Sequence, residues 1–337
     1  MRSGGEQKIR HSVVELAQEF LAAGLVVRTW GNFSARLDAG AFVVTPSGRA
    51  YEGMTVADLV KVSIEDGKAK YVGAGKPSSE APMHALVYRR FPAVRIAAHT
   101  HQVYASAISL LGTDIAVPDK WQPILNSSRL PLSAYALPGS KALHRNMETT
   151  LAQSGLGAVL MARHGAFIPA ETTEECLRLA EDLERFAAEI YAERLNRKAE
   201  QRTDINSDSE IERNLARILK APSGEAIAVS ADAEVLPWLN RRLPPYLDDF
   251  AQICGVSVSR KRGSANVVFD PDRGVAICYG SDPAEARNVR AVLEKNVRAA
   301  NIAELADTPP LPRWEALVMR LVYKLKYSKQ ADKKAGR

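Results

Sequence analysis

Cysteine is scarce in this 337-residue chain: Cys176, Cys254 and Cys278 lie far apart, and no C-x-x-C pair occurs. That excludes a disulfide framework and thiolate zinc ribbons, and the three read as small buried hydrophobes in a reducing compartment. Long hydrophobic runs are missing too. No apolar stretch approaches the roughly 20 residues that span a bilayer, and no apolar signal segment follows the polar start Met1 to Lys8. The expectation is a cytoplasmic protein without a membrane partner. A GxxxxGK[ST] phosphate loop is also lacking, which excludes that nucleotide-binding mode. The net charge of +6 is modest and partly local, since Lys324, Lys326, Lys329, Lys333, Lys334 and Arg337 crowd the last stretch. This reads as a solvated basic tail; no motif supports nucleic acid, and none is expected as a partner.

What the chain has is apolar content, 46% of residues, enough for a sizeable core, and a length that suggests two domains. Val13, Leu16, Ala17, Phe20 and Leu21 recur at helical spacing up to a stop at Gly24. Residues 33–37 and 41–44 alternate as a hairpin across Asp38-Ala39-Gly40. Further short strands are expected at 59–62, 70–72, 95–101, 157–161 and 166–168, and helices at 80–90, 104–111, 139–154 and from Thr172-Thr173 to about 202. Ser78 or Ser79 is expected to cap the helix at 80–90. The polar stretch 204–223 reads as a linker, 224–304 as a smaller α/β domain, and Thr308-Pro309-Pro310-Leu311-Pro312 as a rigid spacer. Trp314, Leu317, Val318, Leu321, Val322 and Leu325 then line one side of a final helix, a stripe expected to pack against a neighbour or partner subunit.

The most informative feature is His99-Thr100-His101 at the end of an apolar run. On a strand, residues i and i+2 share a face, so both imidazoles can reach one metal ion. His164 follows another apolar strand, and Glu80 lies upstream in Ser78-Ser79-Glu80. Three neutral nitrogens with one displaceable carboxylate oxygen suit a catalytic zinc site, which keeps a position open for substrate. His84, four residues after Glu80 on the same helical face, reads as a partner steadying the site or as a packing residue. His11 and His144 read as incidental.

Two segments align without a gap at an offset of 109: Gly165 through Thr172-Thr173 into a long helix, and Gly274 through Ser281-Asp282 into another. Arg273 then falls at the place of His164. The second domain is therefore expected to be a degenerate partial repeat of the first, without its metal ligands.

With these motifs in view, the chain resembles the class II aldolase/adducin family over residues 8–195. The resemblance rests on Gly31-Asn32-Phe33-Ser34, Thr45-Pro46-Ser47-Gly48, Ser78-Ser79-Glu80, His99-Thr100-His101 and His164-Gly165. It implies a three-layer α/β/α fold on a mostly antiparallel sheet, and a homo-oligomer of the tetrameric kind, within a catalytic domain of residues 1–203. It further implies zinc ligands at His99, His101 and His164, with Mn²⁺ or Co²⁺ as alternatives, a catalytic carboxylate at Glu80, and phosphate-binding positions at Thr29, Gly31, Asn32, Ser47, Gly48, Ser78 and Ser79. The implied reaction is zinc-dependent cleavage of a ketose 1-phosphate to dihydroxyacetone phosphate and an aldehyde. In such a reaction the metal neutralises an enediolate and Glu80 moves the proton. A pentulose-phosphate 4-epimerase would use the same site, dehydratases and decarboxylases share the family, and an adducin-like binding protein would lack the full triad retained here. The tyrosines that family aldolases use as proton donors have no clear counterpart. Lys120, Tyr323 and Tyr327 are the candidates.

Overall fold

The computed structural model describes residues 3–27, 29–65, 68–73, 75–155, 157–196 and 209–334. The chain divides into two compact units, the first reaching Glu193 and the second running from Arg202.

In the first unit, helix α1 (Ser3–Ala22) leads to four strands joined in an antiparallel meander: β1 (Asn32–Arg36), β2 (Ala41–Val44), β3 (Val60–Glu65) and β4 (Lys68–Val72). Helix α2 (Ala81–Arg90), strand β5 (Ile96–Thr100) and helix α3 (Val103–Ile108) follow. Then come β6 (Ile115–Ala116), α4 (Gln122–Leu125), β7 (Arg129–Leu130), β8 (Leu132–Ser133) and α5 (Lys141–Gln153). The hairpin β9 (Val159–Met161) and β10 (Gly165–Ala170) and the long helix α6 (Thr173–Arg194) complete the unit. Eight strands form one sheet in the order β4-β3-β2-β1-β5-β10-β9-β8, with only the β8–β9 pair parallel.

Strand alternation divides the core between the two faces. Phe42, Val44, Val60, Val62, Ala97, Val159, Met161 and Phe167 point one way and are covered by Met83 and Val87 of α2 and Leu143, Met147 and Leu151 of α5. Phe33 points the other way, edge-on to Phe20 of α1 at 4.9 Å. Fully burying such a side chain stabilises by about 1.5–3 kcal/mol, so each helix is held by its apolar stripe. Gly24, with φ of +71°, ends α1 in the left-handed conformation that glycine adopts without strain.

The second unit holds helix α7 (Glu210–Ile218), β11 (Ala226–Ser230), α8 (Asp248–Ile253), β12 (Val267–Asp270), β13 (Val275–Gly280), α9 (Pro283–Leu305) and α10 (Arg313–Lys334). Helix α7 falls inside the stretch read as a linker. Ser209 and Glu212 close a capping box at its start, satisfying two otherwise orphaned amides. The expected apolar stripe of α10 is the outward face: Trp314, Leu317, Val318, Leu321, Val322 and Leu325 are exposed, while Ala316, Met319 and Arg320 are buried. Arg320 reaches the carbonyls of Gln252 and Ile253 at the end of α8, which fixes that rotation.

The sheet of this unit runs β11-β13-β12, antiparallel throughout, as β5-β10-β9 does in the first. Phe167 faces His99 and Val159, and Ile277 faces Val229 and Val268, so the ladders match strand by strand in order, direction and register. The helix starts match as well. Glu175 N donates to Thr172 Oγ1 and Glu171 N to Glu175 Oε2; Glu285 N donates to Asp282 Oδ1 and Ser281 N to Glu285 Oε2. The ungapped offset of 109 is corrected by one residue. The turn after β12 holds residues 271–274 where that after β9 holds 162–164, which carries Gly165 onto Val275. By register, Val229 stands at the place of His99.

Candidate functional site: three imidazoles and a carboxylate at a sheet end

The site forms where β5 ends. β5 is central, flanked by β1 and β10, with Asn32 and Phe167 both opposite His99. Two glycines let the neighbours approach this closely. A Cβ on Gly31 would sit 2.4 Å from the His99 carbonyl oxygen, and one on Gly165 would sit 2.0 Å from that of Thr100. Neither position tolerates a side chain, and Gly31 also has φ of +92°. The tight approach of Gly165 brings His164, in the turn after β9, over the end of β5.

His99, His101 and His164 then lie with ring centroids 4.6–4.8 Å apart, and one ligand nitrogen from each falls within 4.8 Å of the others. His99 Nδ1 is 2.9 Å from the Ala166 carbonyl oxygen. Donation there leaves Nε2 with its lone pair directed at the cluster, as a metal ligand requires. Burial pushes the His99 imidazolium well below the usual histidine range, against the opposing pull of Glu80, so the ring is neutral. His99 and His164 are buried and His101 is half-buried, leaving an approach from the His101 side.

Glu80 reaches the same point from the N-terminus of α2. Its Oε1 is 3.0 Å from His164 Nε2 and its Oε2 is 3.4 Å from His99 Nε2. Burial alone would raise this carboxyl, but the facing His99, His164 and His101 rings and the His164 hydrogen bond hold it well below the usual carboxylate range. Three imidazole nitrogens converging beside a carboxylate oxygen fit a divalent cation with an open position.

The residues expected to hold phosphate gather beside this cluster through the backbone. Ser47 N donates to Lys76 O at 2.9 Å, Ser78 N donates to Thr45 O at 3.2 Å, and Pro46 bridges Pro77. Gly48 follows with φ of +74°. Ser79 is exposed, with Gly139 of a third loop packed close to it. Thr29 sits half-buried in the turn before Gly31. The Asn32 side chain is engaged at both ends, Nδ2 with Glu80 at 2.8 Å and Oδ1 with His84. One expectation changes here. Neither serine accepts from the first turn of α2 as an ordinary cap: Glu80 occupies the cap position, and Ser78 Oγ accepts from Glu80 N at 3.2 Å.

Lys120 is exposed and donates to Glu189 at 2.6 Å. Tyr323 belongs to α10 of the second unit, and the side chain of Tyr327 lies outside the described residues. Sequence reasoning missed Ser34 and Tyr88, both hydrogen-bonded around His84, and set aside His144, which hydrogen-bonds the backbone of Ser79. Spacing offered a clue for the first pair: Asn32 and Ser34 share a strand face, and Glu80, His84 and Tyr88 recur every four residues. Nothing local marks His144.

Comparison with known proteins identifies relatives of the first unit. Residues 11–191 match the Class II Aldolase and Adducin N-terminal domain, about half of the chain. The chain is 26% identical over 190 residues to a 3-oxo-tetronate 4-phosphate decarboxylase of Escherichia coli (strain K12), covering 55% of this chain and 87% of that protein. It is 28% identical over 188 residues to a 5-methylthioribulose-1-phosphate/5-deoxyribulose-1-phosphate aldolase of Rhodospirillum rubrum, covering 56% and 82%. It is 32% identical over 167 residues to the L-ribulose-5-phosphate 4-epimerase UlaF of Salmonella paratyphi C, covering 49% and 69%. Among solved structures, an L-fuculose 1-phosphate aldolase shares the fold, with a TM-score of 0.51 at 23% identity over 62% of this chain and 93% of that one. The chain therefore belongs to the class II aldolase and adducin N-terminal domain family.

Proposed function

We propose that this protein is a divalent-metal-dependent aldolase that cleaves a ketose 1-phosphate to dihydroxyacetone phosphate and an aldehyde. The observation that carries the reading is the placement of Glu80: a buried carboxylate 3.0 Å from His164 Nε2 and 3.4 Å from His99 Nε2, within a triad of imidazoles. His99, His101 and His164 would hold the metal, zinc in our reading with Mn²⁺ or Co²⁺ as alternatives. Bound there, it supplies Lewis-acid stabilisation of negative charge developing on substrate oxygens.

The remaining work falls to the protein. Glu80, ionised and pinned by Asn32, carries the proton to and from the carbon beside the substrate carbonyl. Ser47, Gly48, Ser78 and Ser79, drawn together by the Pro46–Pro77 bridge, form the phosphate end. The N-terminus of α2 adds a favourable dipole there. Active sites of family aldolases lie at subunit interfaces of homo-oligomers, and we extend that arrangement to this chain.

A second reading has specific support in the 32% identical 4-epimerase, and a third in the decarboxylase similarity, since all three reactions break a carbon–carbon bond beside a carbonyl of a phosphorylated sugar. The test is product analysis with metal-loaded protein. The panel holds fuculose, rhamnulose, ribulose, 5-deoxyribulose and 5-methylthioribulose 1-phosphates, L-ribulose 5-phosphate and 3-oxo-tetronate 4-phosphate. Dihydroxyacetone phosphate released from a 1-phosphate supports the aldolase. Isomerised pentulose without it, or carbon dioxide from the tetronate, transfers the assignment to the epimerase or decarboxylase.

A further inference from the structure

Behind Glu80 runs a buried file of polar side chains that the reaction itself does not use. Strand β1 contributes Asn32 and Ser34, two residues apart and on one face; helix α2 contributes His84 and Tyr88, four and eight residues after Glu80 on one side. The two sets interlock like a zip. Asn32 Nδ2 is 2.8 Å from Glu80 Oε2, His84 Nε2 meets Asn32 Oδ1, Ser34 Oγ is 2.6 Å from His84 Nδ1, and Tyr88 OH is 2.7 Å from Ser34 Oγ. All five residues are buried, and Ser34 and His84 are wholly so.

With His84 kept neutral by its burial, the chemistry of the groups fixes every proton in this file. A carboxylate only accepts, so Asn32 turns its NH₂ to Glu80 and its carbonyl oxygen to His84. That oxygen also only accepts, so His84 carries its hydrogen on Nε2. Nδ1 of the neutral ring is then an acceptor, Ser34 donates to it, and Tyr88 donates to Ser34. Phe167 stands edge-on to the His84 ring at 4.9 Å and holds its plane. With the hydrogen on Nδ1 instead, Nε2 and Asn32 Oδ1 would face each other as two acceptors. The amide would then flip and place its oxygen against Glu80.

We propose that His84 is a positioning residue: its Nε2–H tautomer, with Nδ1 accepting from Ser34, orients the Asn32 amide and thereby holds the Glu80 carboxylate toward the three imidazoles. The inference rests on the proposed role of Glu80 for its catalytic meaning, but its structural content is measurable without turnover.

Two NMR measurements on metal-free protein and one kinetic comparison test it. In ¹⁵N-histidine-labelled protein, long-range ¹H–¹⁵N spectra should show His84 as the neutral Nε2–H form; an Nδ1–H form or an imidazolium at pH 7 overturns the proposal. The Asn32 side-chain amide should exchange slowly with solvent. His84→Leu should speed that exchange at least tenfold, and His84→Gln, which keeps a donor and an acceptor, should restore most of the protection. Unchanged exchange in His84→Leu overturns the proposal, and if that variant does not fold, the tautomer and the His84→Gln exchange still decide. In turnover, His84→Leu should lower kcat with KM little changed, His84→Gln should recover it, and His84→Leu with Asn32→Leu together should be no worse than Asn32→Leu alone. Additive losses count against the proposal. The expected NMR result in a protein that cleaves no sugar phosphate would leave the positioning intact and remove only the aldolase reading.

Discussion

Acid should destabilise this protein through His84 by an amount the structure lets us work out. Burial pushes the His84 imidazolium from an ordinary 6.5 down to about 3, with Glu80 opposing the shift. Between those values the unfolded chain binds a proton that the folded chain refuses, so stability rises with pH. The contribution is whole above pH 6.5 and is lost as pH falls toward 3. Going from pH 8 to pH 5, the loss from this single group is about 2 kcal/mol. The perturbation is His84→Gln, which cannot titrate but can keep the hydrogen bonds to Asn32 and Ser34. The assay is urea unfolding of wild type and variant at pH 8 and pH 5, both in chelator, so that the triad histidines contribute alike to each. Wild type should lose about 2 kcal/mol more than the variant over that interval. Equal losses in the two proteins, within about 0.5 kcal/mol, would show that His84 is not held neutral, and the proton assignment along the Tyr88–Glu80 file would fall with it.

Three further outcomes are expected. His101→Ala should abolish metal retention in equilibrium dialysis, because a three-nitrogen site seldom survives the loss of one ligand; full occupancy would remove His101 from the triad. Glu80→Gln should keep its metal yet lose about 10²–10⁴-fold in kcat, and normal turnover would remove Glu80 from the mechanism. Gly165→Ala places a methyl 2.0 Å from the Thr100 carbonyl oxygen, so it should lower stability by at least about 1–3 kcal/mol in thermal or urea unfolding, and an unchanged midpoint would contradict the packing described.

The parts of the fold that were legible in the sequence are those governed by nearest neighbours. The hairpin of β1 and β2, the buried run of β5 and the stripe of α1 each carry their period in ten or twenty residues. The triad was legible for the same reason, since i and i+2 on a strand must share a face. The parallel strand β8 was not, because two residues after Pro131 carry no period at all. Helix α7 was hidden by a polar composition, although Ile211, Leu215 and Ile218 keep helical spacing. The contacts that set the rotation of α10 carry no local signal, since the Gln252 and Ile253 carbonyls that hold Arg320 lie more than sixty residues away. Helix α9 illustrates the same limit. Arg290, Lys295 and Arg298 are buried in it, each neutralised by Glu212, Asp249 or Asp232 from distant segments, and no local pattern announces that a charged stretch is internal. The bonds of Asn32 to Glu80 and His84 were not legible either, because they join positions roughly fifty residues apart.

The agreement between β5-β10-β9 with α6 and β11-β13-β12 with α9 separates architecture from chemistry. Where the first ladder carries His99, the second carries Val229, and its hydrogen-bond register is unaffected. The scaffold therefore does not depend on imidazole at that position: the same strand order stands with an aliphatic residue there. His99 is a passenger at its place in the ladder, and replacing it should disarm the site while leaving the sheet to fold. A chain that carries both ladders offers its own control: the same strand order and register, once with an imidazole at that place and once with an aliphatic side chain.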